Sequence, residues 1–139
     1  MNFNECVRNG QIRKASKDVG LIKSLVKTAE EDLMFLESIP INEQSARKIM
    51  SNYYDVLRSI LEAIALLDEY KIYTHEAFTF FLKEKKEESY AIQFDRFRKI
   101  RNGINYYGKT ISPEEAKENK EQICQLMVKL REKYLKGRS

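Results

Sequence analysis

Ile49-Met50-Ser51-Asn52-Tyr53-Tyr54-Asp55-Val56-Leu57-Arg58-Ser59-Ile60-Leu61-Glu62-Ala63-Ile64-Ala65-Leu66-Leu67 is the stretch that decides the fold. Ile49, Tyr53, Val56, Ile60, Ile64 and Leu67 recur every three or four residues, the spacing of one helical face. Tyr54, Leu57, Leu61 and Leu66 widen that face. A stripe so broad has to be covered from more than one side, which is the position of the central helix in a bundle. Asn42, just past Pro40, is the expected N-cap.

The flanking segments supply the covering helices. Upstream, Ile22, Leu25, Val26, Ala29, Leu33 and Leu36 predict a helix that starts near Ser16 or Asp18 and is ended by Pro40. A short helix is expected before it, capped by Asn4 and stopped at Gly10, with Gln11-Ile12-Arg13-Lys14 as the connection. Downstream, Thr74 is the expected cap of a helix burying Ala77, Phe78, Phe81 and Leu82, with Glu76 favourable in its first turn. Lys83-Glu84-Lys85-Lys86-Glu87-Glu88 is mixed charge, expected as a solvated helix end and loop. A fifth helix follows from about Ser89, with Gln93, Phe97, Ile100, Ile104 and Tyr107 as its core stripe. Ser112-Pro113-Glu114-Glu115 is a capping box with proline at the first helical position. Beyond it Ala116, Ile123, Met127, Leu130 and Tyr134 are expected to face inward. The expected fold is all-α: an antiparallel up-and-down four-helix bundle core with a short extra N-terminal helix, as one domain over residues 1–139.

Composition agrees. A chain of 139 residues suits a single core. Five glycines, two prolines and no tryptophan leave too few turn residues for a many-stranded β protein. No apolar run approaches the ~20 residues that span a bilayer, and Met1 to Glu5 lack the basic-then-apolar layout of a signal peptide. A cytoplasmic protein without a membrane partner is expected. Cys6 and Cys124 are expected to be free and inert. With His75 as the only histidine, no zinc-ligand spacing exists, and neither metal nor cofactor is expected. The net charge of +4 permits an anionic partner without requiring one, because the charges lie in mixed clusters.

One stretch departs from this plain bundle grammar: Arg98-Lys99-Ile100-Arg101-Asn102-Gly103-Ile104-Asn105-Tyr106-Tyr107-Gly108. At about 100° per residue, Phe97, Ile100, Ile104 and Tyr107 share one side of the helix. Phe94, Arg98, Arg101 and Asn105 share the adjacent side. Arg101 and Tyr106 are about 140° apart on an ideal helix, so they are not expected to grip one atom together. Either Gly103 bends the helix or the two act across a symmetric dimer. Arg101 has two readings: an ion pair with an acid of a neighbouring helix, or a bidentate donor to phosphate. Asn102 and Asn105 either satisfy helix-end carbonyls or position a bound chain. Tyr107 is expected in the core, Tyr106 at a functional surface, and Gly108 in a turn.

This stretch, together with Asn52 to Ile64 and Thr74-His75-Glu76-Ala77, resembles the HEPN superfamily of small helical-bundle proteins, over about Lys17 to Tyr134. The motif of that family is an arginine, usually followed by a polar residue, with a histidine four to six positions on. In the family these two residues carry metal-independent RNA cleavage at a dimer interface. Arg101 and Asn102 match the start of the motif, and Tyr106 stands where the histidine is expected. The resemblance implies a homodimer, RNA or a nucleotide as ligand, and a small nucleotidyltransferase as partner in a toxin–antitoxin or defence-type system. It assigns anion binding to Arg98, Arg101, Asn102, Asn105 and Tyr106. In one system of the family, a tyrosine two positions past the histidine is modified with adenylate. That position is Gly108 here, so the modification does not carry over. Histidine suits proton transfer near neutral pH, whereas tyrosine ordinarily titrates near ~10. The expectation is that Arg101 still binds anions while cleavage is lost or weak. The alternatives are an active endoribonuclease with Arg101, Asn102 and Tyr106 as catalytic residues, and a purely structural dimerisation module. His75, at a helix start, is expected to be structural.

Overall fold

The broad apolar stripe is buried on several sides at once. In the computed structural model, which describes residues 1–138, the central helix α3 spans Ala46–Leu67. Ile49, Tyr53, Val56, Ile60 and Ile64 are all buried, as are Tyr54, Leu57, Leu61 and Leu66. Three long helices pack on α3: α2 (Val19–Glu37), α5 (Glu88–Tyr107) and α6 (Pro113–Tyr134). The shorter α4 (His75–Glu84) lies mainly against α5 and against the N-terminal α1 (Phe3–Arg8). The described chain is about 72% helix, so the all-α class holds. Among the described residues no helix is long and apolar enough to cross a membrane.

The connection before α2 is a strand. β1 (Ile12–Lys14) pairs antiparallel with β2 (Tyr70–Ile72) in the register Ile12↔Ile72, Arg13↔Lys71 and Lys14↔Tyr70. Ile12 and Ile72 turn into the core. Three-residue strands are too short for alternation to show in sequence, which is why the ribbon is unmarked there.

Local chemistry sets most helix ends where the residues point. The Asp18 side chain accepts from the Leu21 amide at 3.0 Å and starts α2. Ser112 and Glu115 form the reciprocal capping box of α6, with Pro113 as its first residue. Gly108, at φ +64°, ends α5 in the left-handed conformation that glycine adopts without penalty. Two starts differ from expectation, and a third has the expected cap residue without a side-chain cap bond. Asn2, not Asn4, caps α1 by accepting from the Glu5 amide. Asn42 accepts from the amides of Gln44 and Ser45, shaping the turn before α3 while Ser45 takes the cap position. Thr74 sits at the cap of α4, but its hydroxyl is buried with no partner.

The core face of α5 is also rotated from the expected one. Phe94 is fully buried, stacked on Tyr54 with ring centroids 5.5 Å apart and packed edge-on to Phe78. Tyr107, expected in the core, is 76% exposed. The helix lies between α3 and α4, so the side that faces both is buried, and Tyr107 is its last residue, beyond the covering helices. Cys6 is buried, Cys124 is half-buried and both are free. Burial pushes both thiols above the ordinary cysteine range, away from thiolate reactivity.

Candidate functional site

The rim of the α3 stripe carries polar groups at helical spacing: Ser51, Asn52, Asp55, Arg58 and Ser59. The last two turns of α5 bring Arg101, Asn105 and Tyr106 to that rim, and the start of α4 brings His75. Tyr54 joins the three helices. Its buried ring lies under the Arg101 guanidinium, 5.7 Å from ring centroid to Cζ, and its hydroxyl is 3.1 Å from His75 Nδ1.

Arg101 has an unusual set of partners. Its Nη1 donates to the Tyr106 hydroxyl at 3.2 Å, and its Nη2 lies 3.8 Å from Asp55 Oδ1 on α3. Its side chain is only 15% exposed, and its Nε is buried without a partner. Arg101 and Tyr106 therefore touch each other directly, although they lie well apart around the helix. α5 runs unbroken through Gly103, and two long side chains bridge the angle that their Cα atoms leave open. Asp55 is an incomplete counterion: the pair is at the limit of ion-pair distance, and the Asp55 side chain is 41% exposed to screening water.

A second arginine repeats the pattern. Arg58 Nε is buried and unpartnered. Among the described residues, the buried side-chain nitrogens and oxygens without a partner belong to Arg58, Thr74 and Arg101. Arg58 and Arg101 both act on His75, and Thr74 is the residue before it. The His75 imidazole is held below the usual histidine range, by burial first and then by Arg58 and Arg101, with Arg98 adding and Asp55 opposing. Burial likewise pushes the Tyr54 hydroxyl up, against the pull of Arg101, Arg58 and Arg98. The corner is electropositive, with a neutral histidine at its edge.

The other expected residues divide. Arg98 is already occupied: its Nε and Nη2 donate to one oxygen of Asp95 at 3.0 and 2.7 Å, and Lys99 reaches the other oxygen at 3.1 Å. Arg98 therefore contributes to the field and not to direct ligation. Asn105 accepts from the Ser51 hydroxyl at 3.0 Å, tying α5 to α3. It does not satisfy helix-end carbonyls. That is done by the backbone, where the Lys109 amide donates to the Gly103 carbonyl at 3.0 Å. Asn102 is half-buried, and no side-chain hydrogen bond is formed by it among the described residues. Tyr106 is 68% exposed and lies over Arg101.

Two hollows open on this rim. One, about 540 Å³, is lined by Arg47, Lys48, Ser51, Asn105 and Tyr106. The other, about 430 Å³, is lined by Asp32, Phe35, Arg58 and Ser59. Asn52 and Asp55 line both, so the two hollows adjoin along α3, and Arg101 lines neither. Asp55, Arg58, Arg47 and Lys48 escape a motif-centred reading of the sequence. Their signal is positional: they are polar residues on the edge of the broadest apolar stripe in the chain. No match to this chain was found among protein-family models, curated proteins or solved structures.

Proposed function

We propose that this chain is a HEPN-like dimeric protein that binds RNA or a nucleotide through phosphate, with cleavage lost or weak. On this reading α2, α3, α5 and α6 are the four-helix bundle core, and the residues flanking α3 form the ligand groove. The observation that carries the proposal is Arg101 Nε, a buried cationic donor with no partner inside the chain. Leaving such a donor unmet costs about 1–3 kcal/mol, more when the group is charged. A phosphate oxygen relieves that cost and adds charge-assisted hydrogen bonds. Arg58, which lines one of the two hollows, offers a second unmet donor.

Impaired cleavage is supported by what surrounds the arginine. The group at the motif histidine position is a tyrosine whose oxygen accepts from Arg101. The one histidine of the chain has its Nδ1 engaged with Tyr54. A small nucleotidyltransferase is the partner class that the resemblance brings.

The test is fluorescence anisotropy of a labelled RNA against wild type and Arg101→Gln at two salt concentrations. The expected result is a salt-sensitive affinity that falls about tenfold or more in the variant, the loss of one or two charge-assisted bonds. Unchanged affinity assigns the chain to a dimerisation module. Robust cutting by wild type, abolished in the variant, establishes the endoribonuclease reading instead.

A further inference from the structure

We infer that the outer face of the β1–β2 ribbon docks an acidic segment of a partner protein, with Arg13 and Lys71 each holding one carboxylate. This surface shares no residue with the α3–α5 rim, and the inference does not depend on the phosphate reading of Arg101. The positive excess of the chain is concentrated at this end of the sequence. Residues 1–27 contain six lysines and arginines against two acids, whereas residues 28–139 contain nineteen of each, so the mixed clusters balance over the rest of the chain. The fold then adds Lys71 to the N-terminal cations by setting it directly opposite Arg13 on the ribbon.

That pairing is unfavourable as it stands. Like charges directly opposite on neighbouring strands repel, and the Cα atoms of such a pair are roughly 5 Å apart. No carboxylate offsets the repulsion, because none of Arg8, Arg13, Lys14, Lys17 and Lys71 has an ion pair among the described residues. Both side chains instead lie against the exposed ring of Tyr73, Arg13 Cζ at 4.7 Å and Lys71 Nζ at 5.9 Å from its centroid. Arg13 is also aimed. Its Nε donates to the Gly10 carbonyl at 3.0 Å, which leaves the two terminal nitrogens as an open fork. Such a fork takes a carboxylate bidentately.

The size of the patch selects the occupant. Alternate residues of an extended segment place their side chains on one face, roughly 7 Å apart, a spacing that two long cationic side chains reach. Glu69, two positions before Lys71 and exposed, closes the patch on that side. A nucleic acid carries phosphates in a continuous row and meets that carboxylate. An anionic bilayer is held by clusters of about four to eight cations, more than this face presents, since Lys14 lies on the opposite face over the Tyr70 ring.

The experiment is fluorescence anisotropy of a labelled ten-residue peptide alternating glutamate and serine, beside the same peptide with glutamine for glutamate. The proteins are wild type, Arg13→Gln, Lys71→Gln, Arg101→Gln and Lys129→Gln, the last removing an exposed charge on α6. Circular dichroism confirms that each folds. Expected is salt-sensitive binding of the glutamate peptide alone, a fall of about tenfold in each of the two ribbon variants, the scale of one charge-assisted bond, and wild-type affinity in Arg101→Gln and Lys129→Gln. Absence of binding, equal binding of the glutamine peptide, a loss in only one ribbon variant, or a comparable loss in either control overturns the inference. So does tighter binding of RNA, or of vesicles of equimolar phosphatidylcholine and phosphatidylserine, that is lost in Arg13→Gln. A dimer in sedimentation that Arg13→Gln dissociates also overturns it, by assigning the face to a second copy.

Discussion

Arg101 and Tyr106 are joined, Nη1 to hydroxyl at 3.2 Å, across five positions of an unbroken helix. The contact shields the guanidinium from one side, while Asp55 meets it loosely from another. Arg101→Gln and Tyr106→Phe are therefore not independent. A double-mutant cycle by urea denaturation should show a coupling of about 0.5–1.5 kcal/mol. Tyr106→Phe alone should move stability by less than about 1 kcal/mol because the site is exposed. Strict additivity would mean that the pair contributes nothing to the folded state.

His75 should make stability depend on pH in a window of its own. Its imidazole is held below the ordinary value of 6.5 by burial and by Arg58 and Arg101. The unfolded chain then binds the proton more readily than the folded one, so the stabilisation is complete above about pH 6.5 and is lost as pH falls through the lowered folded value. Asp95 and Glu87 carry a similar dependence, but at lower pH. For both, burial acts upward and is outweighed by hydrogen bonds, from Arg98 and Lys99 to Asp95 and from Lys133 and Tyr134 to Glu87. Their stabilisation is lost only as pH falls below the ordinary carboxylate values of 3.8 and 4.5. Urea midpoints measured from pH 7.5 to 5 should fall for wild type and stay flatter for His75→Asn. Parallel profiles would show that His75 titrates alike in both states.

Core substitutions separate what the sequence shows from what it conceals. Leu57→Ala, at a fully buried position on α3, should cost about 2–5 kcal/mol. The stripe that makes this foreseeable is visible because a single helix repeats its apolar spacing over about five turns. Phe94→Ala should cost about 3–5 kcal/mol, whereas Tyr107→Ala should stay within about 0.5 kcal/mol. Helical periodicity gives the opposite assignment for these two. Their difference depends on where α4 crosses α5 and where α5 stops being covered, which is tertiary information. The site divides likewise. Arg101 and Tyr106 stand out as a motif, but the pairing of Arg98 with Asp95 and the convergence of Arg58 with His75 depend on side-chain direction and helix placement. Guanidinium and thermal denaturation of the three variants decide the core assignments. A Tyr107→Ala loss comparable to that of Phe94→Ala would contradict the described packing.

The stop of the motif helix and the start of the helix after it offer a local test. Ser112→Ala removes the side chain that accepts from the Glu115 amide and should cost about 1 kcal/mol. Gly108→Ala places a β-carbon at φ +64° with no steric neighbour within 4 Å, so its cost is conformational alone, about 1–2 kcal/mol. Both are read from urea midpoints at constant slope. A neutral Gly108→Ala would mean that the α5–α6 turn is not held in the left-handed conformation.

The last relationship decides whether Arg98 is silent by pairing or by position. Asp95 takes two bonds from Arg98 and one contact from Lys99, and it is partly buried between α4 and α5, where Thr79 also donates to it. Asp95→Asn removes the charge that holds Arg98 while preserving the shape of the side chain. Stability should fall, because an arginine with 15% side-chain exposure loses its counterion. If Arg98 lies within reach of the groove, RNA affinity should rise and the salt dependence should steepen by about one ion. Should affinity and salt slope stay at the wild-type values while stability drops, the Asp95 knot is structural and the phosphate ligands are limited to Arg58 and Arg101. Anisotropy titrations at several salt concentrations, run beside a denaturation curve, distinguish these outcomes in one variant.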